Sequence, residues 1–230
     1  MDEKTIAPVA YIYNDYKEKF GIPRQSGIAP HLMSTLIPVE PYHQEEAFKG
    51  IEGYDYLWLI FGFSANDPTV KPSLTVRPPK IGGNTRVGVF ASRSPYRPNG
   101  LGLSVVKLEK INKNNGKVEL VVSGADLLDG TPVYDIKPYI PYADSHSEAR
   151  AGFSVAPFAV QKQVLFTCEF PKEMSEEQKE ALTESIRQDP RPGYHEDEDR
   201  IYGMHFGKWN VKFKGSNETI TVTAFDIACF

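Results

Sequence analysis

Apolar and polar residues alternate over short runs in this chain, and Gly, Pro and Asn punctuate the runs. A period of two marks strands with one buried face. Thr5–Tyr13, Leu32–Val39, Lys117–Ser123 and Val133–Lys137 read this way. Tyr54–Phe63, YDYLWLIFGF, is apolar on both faces and short enough for a fully buried strand. Arg86–Ser92 opens as another strand and breaks at SPYRPNG, and Leu101–Leu108 resumes the extended chain. Across the turn signal Asn115-Gly116, Lys117–Ser123 pairs naturally with Leu103–Ile111. Gln44–Lys49 is long enough for a helical turn or two. Tyr139 and Tyr142 fall in a Pro-bounded extended run, where tyrosine is ordinary core material.

From about Gln161 the pattern changes. Val164–Phe170 reads as a strand, and Ser175-Glu176-Glu177-Gln178 is a capping box opening a helix that Asp189-Pro190 stops. Ile201–Phe206, Trp209–Lys214 and Thr219–Ile227 alternate as a meander. The expectation is a mostly β protein in two units, 1–157 and a small α+β unit 161–230, joined by a linker near Ala149–Pro157.

Composition supports many strands and turns. Among 230 residues there are 18 Gly, 18 Pro, 13 Phe and 12 Tyr, too broken for long helices. Cys168 and Cys229 make no disulfide framework, and the five histidines lack ligand spacing, so metal chemistry is not expected. The start, MDEKTIAPVAYIY, lacks the form of a signal peptide, which points to the cytosol. Gly100-Leu-Gly102 lacks the third Gly of a dinucleotide fingerprint, and no Walker motif, nucleophile elbow or His-Glu-x-x-His is present. The absence of a strand–helix alternation argues against a Rossmann domain.

Charge singles out one region. The net charge is −4, yet no acidic residue lies between Asp67 and Glu109. That interval holds Lys71, Arg77, Lys80, Arg86, Arg93, Arg97 and Lys107, leaving the rest of the chain at −11. A concentrated positive field on an acidic protein suits a polyanion such as nucleic acid. In SPYRPNG two prolines fix φ and Asn99-Gly100 permits a tight turn, so a stiff loop holds out Arg93, Tyr96, Arg97 and Asn99. Lys17, Lys19 and Arg24 form a second, weaker basic site.

The segments YKEKFGIPRQ, EGYDYLWLIF, TVRPPKIGGNTRVGVFASRSPYRPNGLGLS, DLLDGTPVYDIKPYIPYADS and QDPRPGY occur in order. Together they closely resemble the TsaA-like (TrmO, formerly YaeB) family of S-adenosylmethionine-dependent tRNA N6-methyltransferases. That resemblance implies methylation of the threonylcarbamoyl-adenosine 3′ of the anticodon. It also implies a non-Rossmann β-barrel, a small C-terminal domain and a homodimer. The methyl donor would meet Ser26, Gly27, Ile28, Ser64, Ala65, Arg93, Leu103, Ser123, Gly124, Ala125 and Asp126. Two departures stand out: Gly100 replaces the usual Pro of an RPNP loop, loosening its turn, and Ser64-Ala65 replaces a more polar pair.

Within that reading Arg93 pairs the donor's carboxylate, and Asp129 or Asp135 takes the acceptor's proton. Lys19, Arg24, Arg86, Tyr96, Arg97 and Arg191 meet the RNA, with Tyr96, Tyr139 or Tyr142 as stacking platforms. The C-terminal unit would grip tRNA while the donor site lies wholly before it, so a chain ending near Pro157 should keep donor binding. Rival readings are a barrel methyltransferase acting on another RNA or a metabolite, and a non-catalytic module binding donor and RNA.

Overall fold

The computed structural model describes residues 3–67, 69–78, 85–155, 162–192 and 197–228. Six antiparallel strands close a barrel: β1 (Ala10–Tyr13), β2 (Met33–Pro38), β3 (Tyr56–Gly62), β6 (Leu101–Asn114), β7 (Lys117–Ser123) and β8 (Thr131–Pro138). Around it they run β1-β2-β7-β6-β3-β8. Alternation aims every second side chain inward, and the fill is aliphatic: Ile12, Leu36, Leu57, Leu59, Val106, Leu120, Val122 and Val133 are all buried. Each such side chain stabilises the fold by about 1.5–3 kcal/mol.

β4 (Thr75–Val76) and β5 (Val87–Gly88) form only a two-residue ribbon beside the barrel. The strand expected over Arg86–Ser92 therefore ends at Gly88, and Val89–Ala91 coils into a 3-10 turn. Pro72 and Pro78 bracket the partner strand, and proline cannot extend a ladder. Tyr139 packs edge-on against Tyr56. Tyr142, expected in an extended run, lies instead on the exposed single turn α1 (Pro141–Asp144).

In the C-terminal unit, β10 (Tyr202–Phe206), β11 (Trp209–Gly215) and β12 (Thr219–Ile227) form the meander. β9 (Gln163–Phe166) adds parallel to β12, at the opposite sheet edge from β10. Helix α2 (Glu176–Arg187) starts on Ser175, whose Oγ accepts from Gln178 N–H while the Gln178 side chain returns the bond. Ala181, Leu182, Ser185 and Ile186 form its buried face.

That face packs into a core which the C-terminal unit does not complete alone. Tyr16, Ala29 and Leu32, from the segment joining β1 to β2, are buried in the same cluster as Leu182, Ile186 and Phe206. A division of the chain near 157 separates the two units in sequence but not in packing.

Candidate active site

Strand directions put three connections at one end of the barrel. Residues 14–32 leave β1 and enter β2, residues 63–100 lead from β3 to β6, and residues 124–130 join β7 to β8. Ser26, Gly27, Ile28, Ser64, Ala65, Arg93, Gly124, Ala125 and Asp126 all lie in these connections, with Leu103 and Ser123 close by in strand ends. The barrel interior turns polar at this mouth: Ser34, Ser104 and Thr131 are buried there.

Backbone hydrogen bonds draw the connections together. Gly27 N–H donates to Gly124 O at 2.8 Å, and Gly124 N–H to Leu32 O at 3.1 Å. Gly124 has φ +74°, and a Cβ on it would lie 3.3 Å from Gly27 Cα, so both the turn and the close approach require glycine. Arg93, exposed, donates to Gln25 Oε1 across the mouth.

Asp126 is a half-buried carboxylate at this mouth. Ser104 Oγ donates to its Oδ1 at 2.6 Å. Burial pushes its carboxyl above the ordinary range, opposed by Ser104, its own N–H, the Arg93 charge and Ser26 N–H. Ser123 Oγ turns away and donates to Glu109 at 2.7 Å.

Beside this cluster lies a cleft of ≈ 280 Å³, lined among others by Phe63, Ser64, Asn66, Tyr96 and Arg97. Gly100 closes it: at φ +57° its N–H reaches Arg97 O at 3.1 Å, and its carbonyl accepts from Phe63 N–H at 2.8 Å. Proline could make neither that φ nor that donation. Gly100 therefore fixes this turn rather than loosening it.

Several sequence expectations change. Arg97 is half-buried rather than fully held out: its guanidinium donates to Ser92 O at 2.7 Å and braces the loop. Arg191 is also half-buried, paired with Asp189 at 2.8 Å and donating to the carbonyls of Gly215 and Ser216. Asp129 lies at the mouth, but it accepts from Asn14 N–H at 2.8 Å and pairs with Lys17 at 2.8 Å. Asp135 is exposed midway along β8, beside Ile60, and its carboxylate accepts from Ile136 N–H. Lys19, Arg24, Arg86 and Tyr96 are exposed in connections at the mouth end, Lys19 near Asn66 and Arg86 donating to Thr75 Oγ1. Of the basic window, Lys80 lies outside the described residues.

Gln25 and Ser104 escaped the sequence reading. Neither residue type signals chemistry, and only the fold brings them to Arg93 and Asp126.

The mouth suits a sulfonium donor that carries a carboxylate, an ammonium group and hydroxyls. At this mouth the structure places the Arg93 cation, the Asp126 carboxylate and the close backbone of Gly27 and Gly124, while Leu103 is exposed on the neighbouring strand end. Ser34 Oγ, one strand from Ser123, is buried without a hydrogen-bond partner among the described residues.

Comparison with known proteins decides the family. Residues 11–145 match the tRNA-methyltransferase O N-terminal domain, and residues 159–227 match the TrmO C-terminal domain. The chain belongs to the TrmO family. It is 37% identical to the tRNA (adenine(37)-N6)-methyltransferase of Escherichia coli K12, across 95% of this chain and 96% of that one. A Pseudomonas aeruginosa protein named as a candidate S-adenosylmethionine-dependent methyltransferase, RcsF, is 43% identical across 90% of each chain. A crystal structure of TrmO from Pseudomonas aeruginosa superposes with TM-score 0.77 at 33% identity, covering 98% of this chain and 100% of that one. Among the described residues no helix is long and apolar enough to cross a membrane, and no group of three or more His, Cys, Asp or Glu could hold a metal ion.

Proposed function

We propose that this TrmO-family chain is an S-adenosylmethionine-dependent tRNA methyltransferase that methylates N6 of the adenine 3′ of the anticodon, in its threonylcarbamoylated form. The observation that carries this reading is the barrel mouth itself, where Arg93, Asp126 and the Gly27–Gly124 hydrogen bond converge below a basic rim.

When bound, S-adenosylmethionine supplies a sulfonium-activated methyl group. Arg93 holds the donor's carboxylate by a charge-assisted pair. A carbamoyl group withdraws the N6 lone pair, so this nitrogen becomes nucleophilic as its proton leaves. Asp126 accepts that proton: it lies at the mouth with its carboxyl raised by burial, whereas Asp129 is ion-paired with Lys17 and bonded by Asn14 N–H. Ser104 orients the carboxylate. Lys19, Arg24 and Arg86 meet phosphates, and Tyr96 offers a face to an unstacked anticodon-loop base.

A second copy of the chain covers Leu74 and Phe90, which are 86% and 79% exposed at the two flanks of the ribbon. Sedimentation of Phe90→Glu tests this dimer and should return a monomer.

The central test is a methylation assay on tRNA with and without the threonylcarbamoyl group, read by nucleoside mass spectrometry. Methylated threonylcarbamoyl-adenosine is the expected product. Product on the unmodified tRNA alone, or on none, overturns the reading.

A further inference from the structure

The segment that forms one wall of the mouth is not held by the barrel alone. Residues 14–32 carry Gln25, Ser26, Gly27 and Ile28 to the site, yet much of their anchorage is C-terminal. Tyr16 is buried, with its hydroxyl 2.6 Å from Ser185 Oγ on α2 and its ring edge-on to Phe206. Phe20 stacks on Tyr202 and Phe213 of the meander. Gly21 sits so close to Met204 that a Cβ would fall 1.9 Å from its sulfur. At the far end of the segment, Ala29 and Leu32 enter the same core, and His31 bridges Glu180 and Glu184 of α2.

The opposite wall, with Arg93, Leu103 and residues 123–126, belongs to the barrel. A ligand spanning both walls couples to whatever sets their separation. On the proposed reading of the site, we infer that the C-terminal unit is a working part of the donor site, holding residues 22–28 against the barrel through the positioning residues Tyr16 and Phe20. This replaces the expectation that a chain ending near Pro157 keeps donor binding: such a chain exposes Tyr16, Ala29 and Leu32 and frees the donor-side wall.

The test uses the full chain. Donor affinity is measured by calorimetry with S-adenosylmethionine, and tRNA affinity without donor, for wild type, Tyr16→Phe and Phe20→Ala. Phe166→Ala serves as the control, because it weakens the same core at β9, the sheet edge opposite β10. Hydrogen exchange over residues 22–28 is followed in parallel. The expected result is donor affinity at least fivefold weaker in Tyr16→Phe and Phe20→Ala, faster exchange at 22–28, and unchanged barrel-strand exchange. Affinity for tRNA, which Arg86 outside this segment also serves, should fall less than donor affinity, and Phe166→Ala should leave donor affinity alone. Unchanged donor affinity in both folded variants overturns the inference, as does an equal loss in Phe166→Ala. A wild-type chain that binds no donor at all overturns the proposed function as well.

Discussion

Tyr16 and Ser185, 169 residues apart, share a buried hydrogen bond of 2.6 Å. The same tyrosine accepts at its backbone carbonyl from Asp129 N–H at 2.9 Å, so one residue ties the β7–β8 connection to the C-terminal helix. Burial pushes its phenol far above the ordinary range, opposed by the Ser185 bond, and it stays neutral at any working pH.

Arg93 is exposed, and Gln25 is its side-chain partner across the mouth, so its removal should leave the fold intact. Arg93→Ala should weaken donor binding by about 2 kcal/mol, the worth of a charge-assisted hydrogen bond. Calorimetry on the folded variant checks this, and an unchanged dissociation constant removes Arg93 from the site.

Asp126→Asn should lower the methylation rate by about 10²–10⁴-fold, the usual contribution of a general base. Its raised folded-state pKa means the native protein holds this proton more tightly than the unfolded chain. The stabilisation is thus full below the unfolded carboxyl pKa and is lost as pH rises through the folded one. At neutral pH the Asn variant should be at least as stable as wild type while methylating more slowly. Thermal melts paired with a rate–pH profile test both halves, and a variant that methylates normally ends the role.

His31 is raised above its ordinary value, first by its hydrogen bond to Glu184 and then by the charges of Glu184, Glu180 and Glu177. Its contribution to docking is full below the unfolded histidine pKa and disappears as pH rises through the folded value. Melting of wild type and His31→Gln should therefore differ most in mildly acid buffer and converge in alkaline buffer. A gap independent of pH speaks against the imidazolium bridge.

The basic rim should make tRNA affinity fall steeply with salt. Replacing Arg24 and Arg86 together should flatten the log–log slope by roughly 0.7–0.9 for each phosphate that is no longer neutralised. Arg97→Ala should act differently, lowering stability through the loop it braces. A salt-independent affinity in the wild-type protein contradicts the phosphate-binding rim.

Gly100→Pro, which writes the more usual family loop into this chain, should destabilise it by about 1–3 kcal/mol. The position has φ +57° and donates an N–H to Arg97 O, neither of which proline permits. A denaturant midpoint at or above wild type would show that the turn adopts another form.

The sequence determined the elements and the chemistry of single stretches. Period-two alternation marked several barrel strands because each buries one face, the apolar run Tyr54–Phe63 marked β3 although it too buries only one face fully, and Ser175 with Gln178 marked the helix start because a capping box is local in sequence. The acid-free window and the stiffness of SPYRPNG were equally legible, since charge and φ restriction belong to the residues themselves. Tertiary structure decided which of those residues face a ligand. Arg97 and Arg191 read like exposed arginines and are half-buried braces, while Asp126, beside the more conspicuous turn residue Asp129, becomes a half-buried carboxylate at the mouth. Burial and neighbouring charge set a carboxyl's basicity, and both come from chain segments distant in sequence: Ser104 and Arg93 on the barrel side, Ser26 on the facing segment. The same holds for Tyr16, whose place in a connection broken by Gly and Pro gives no sign that its ring completes another unit's core.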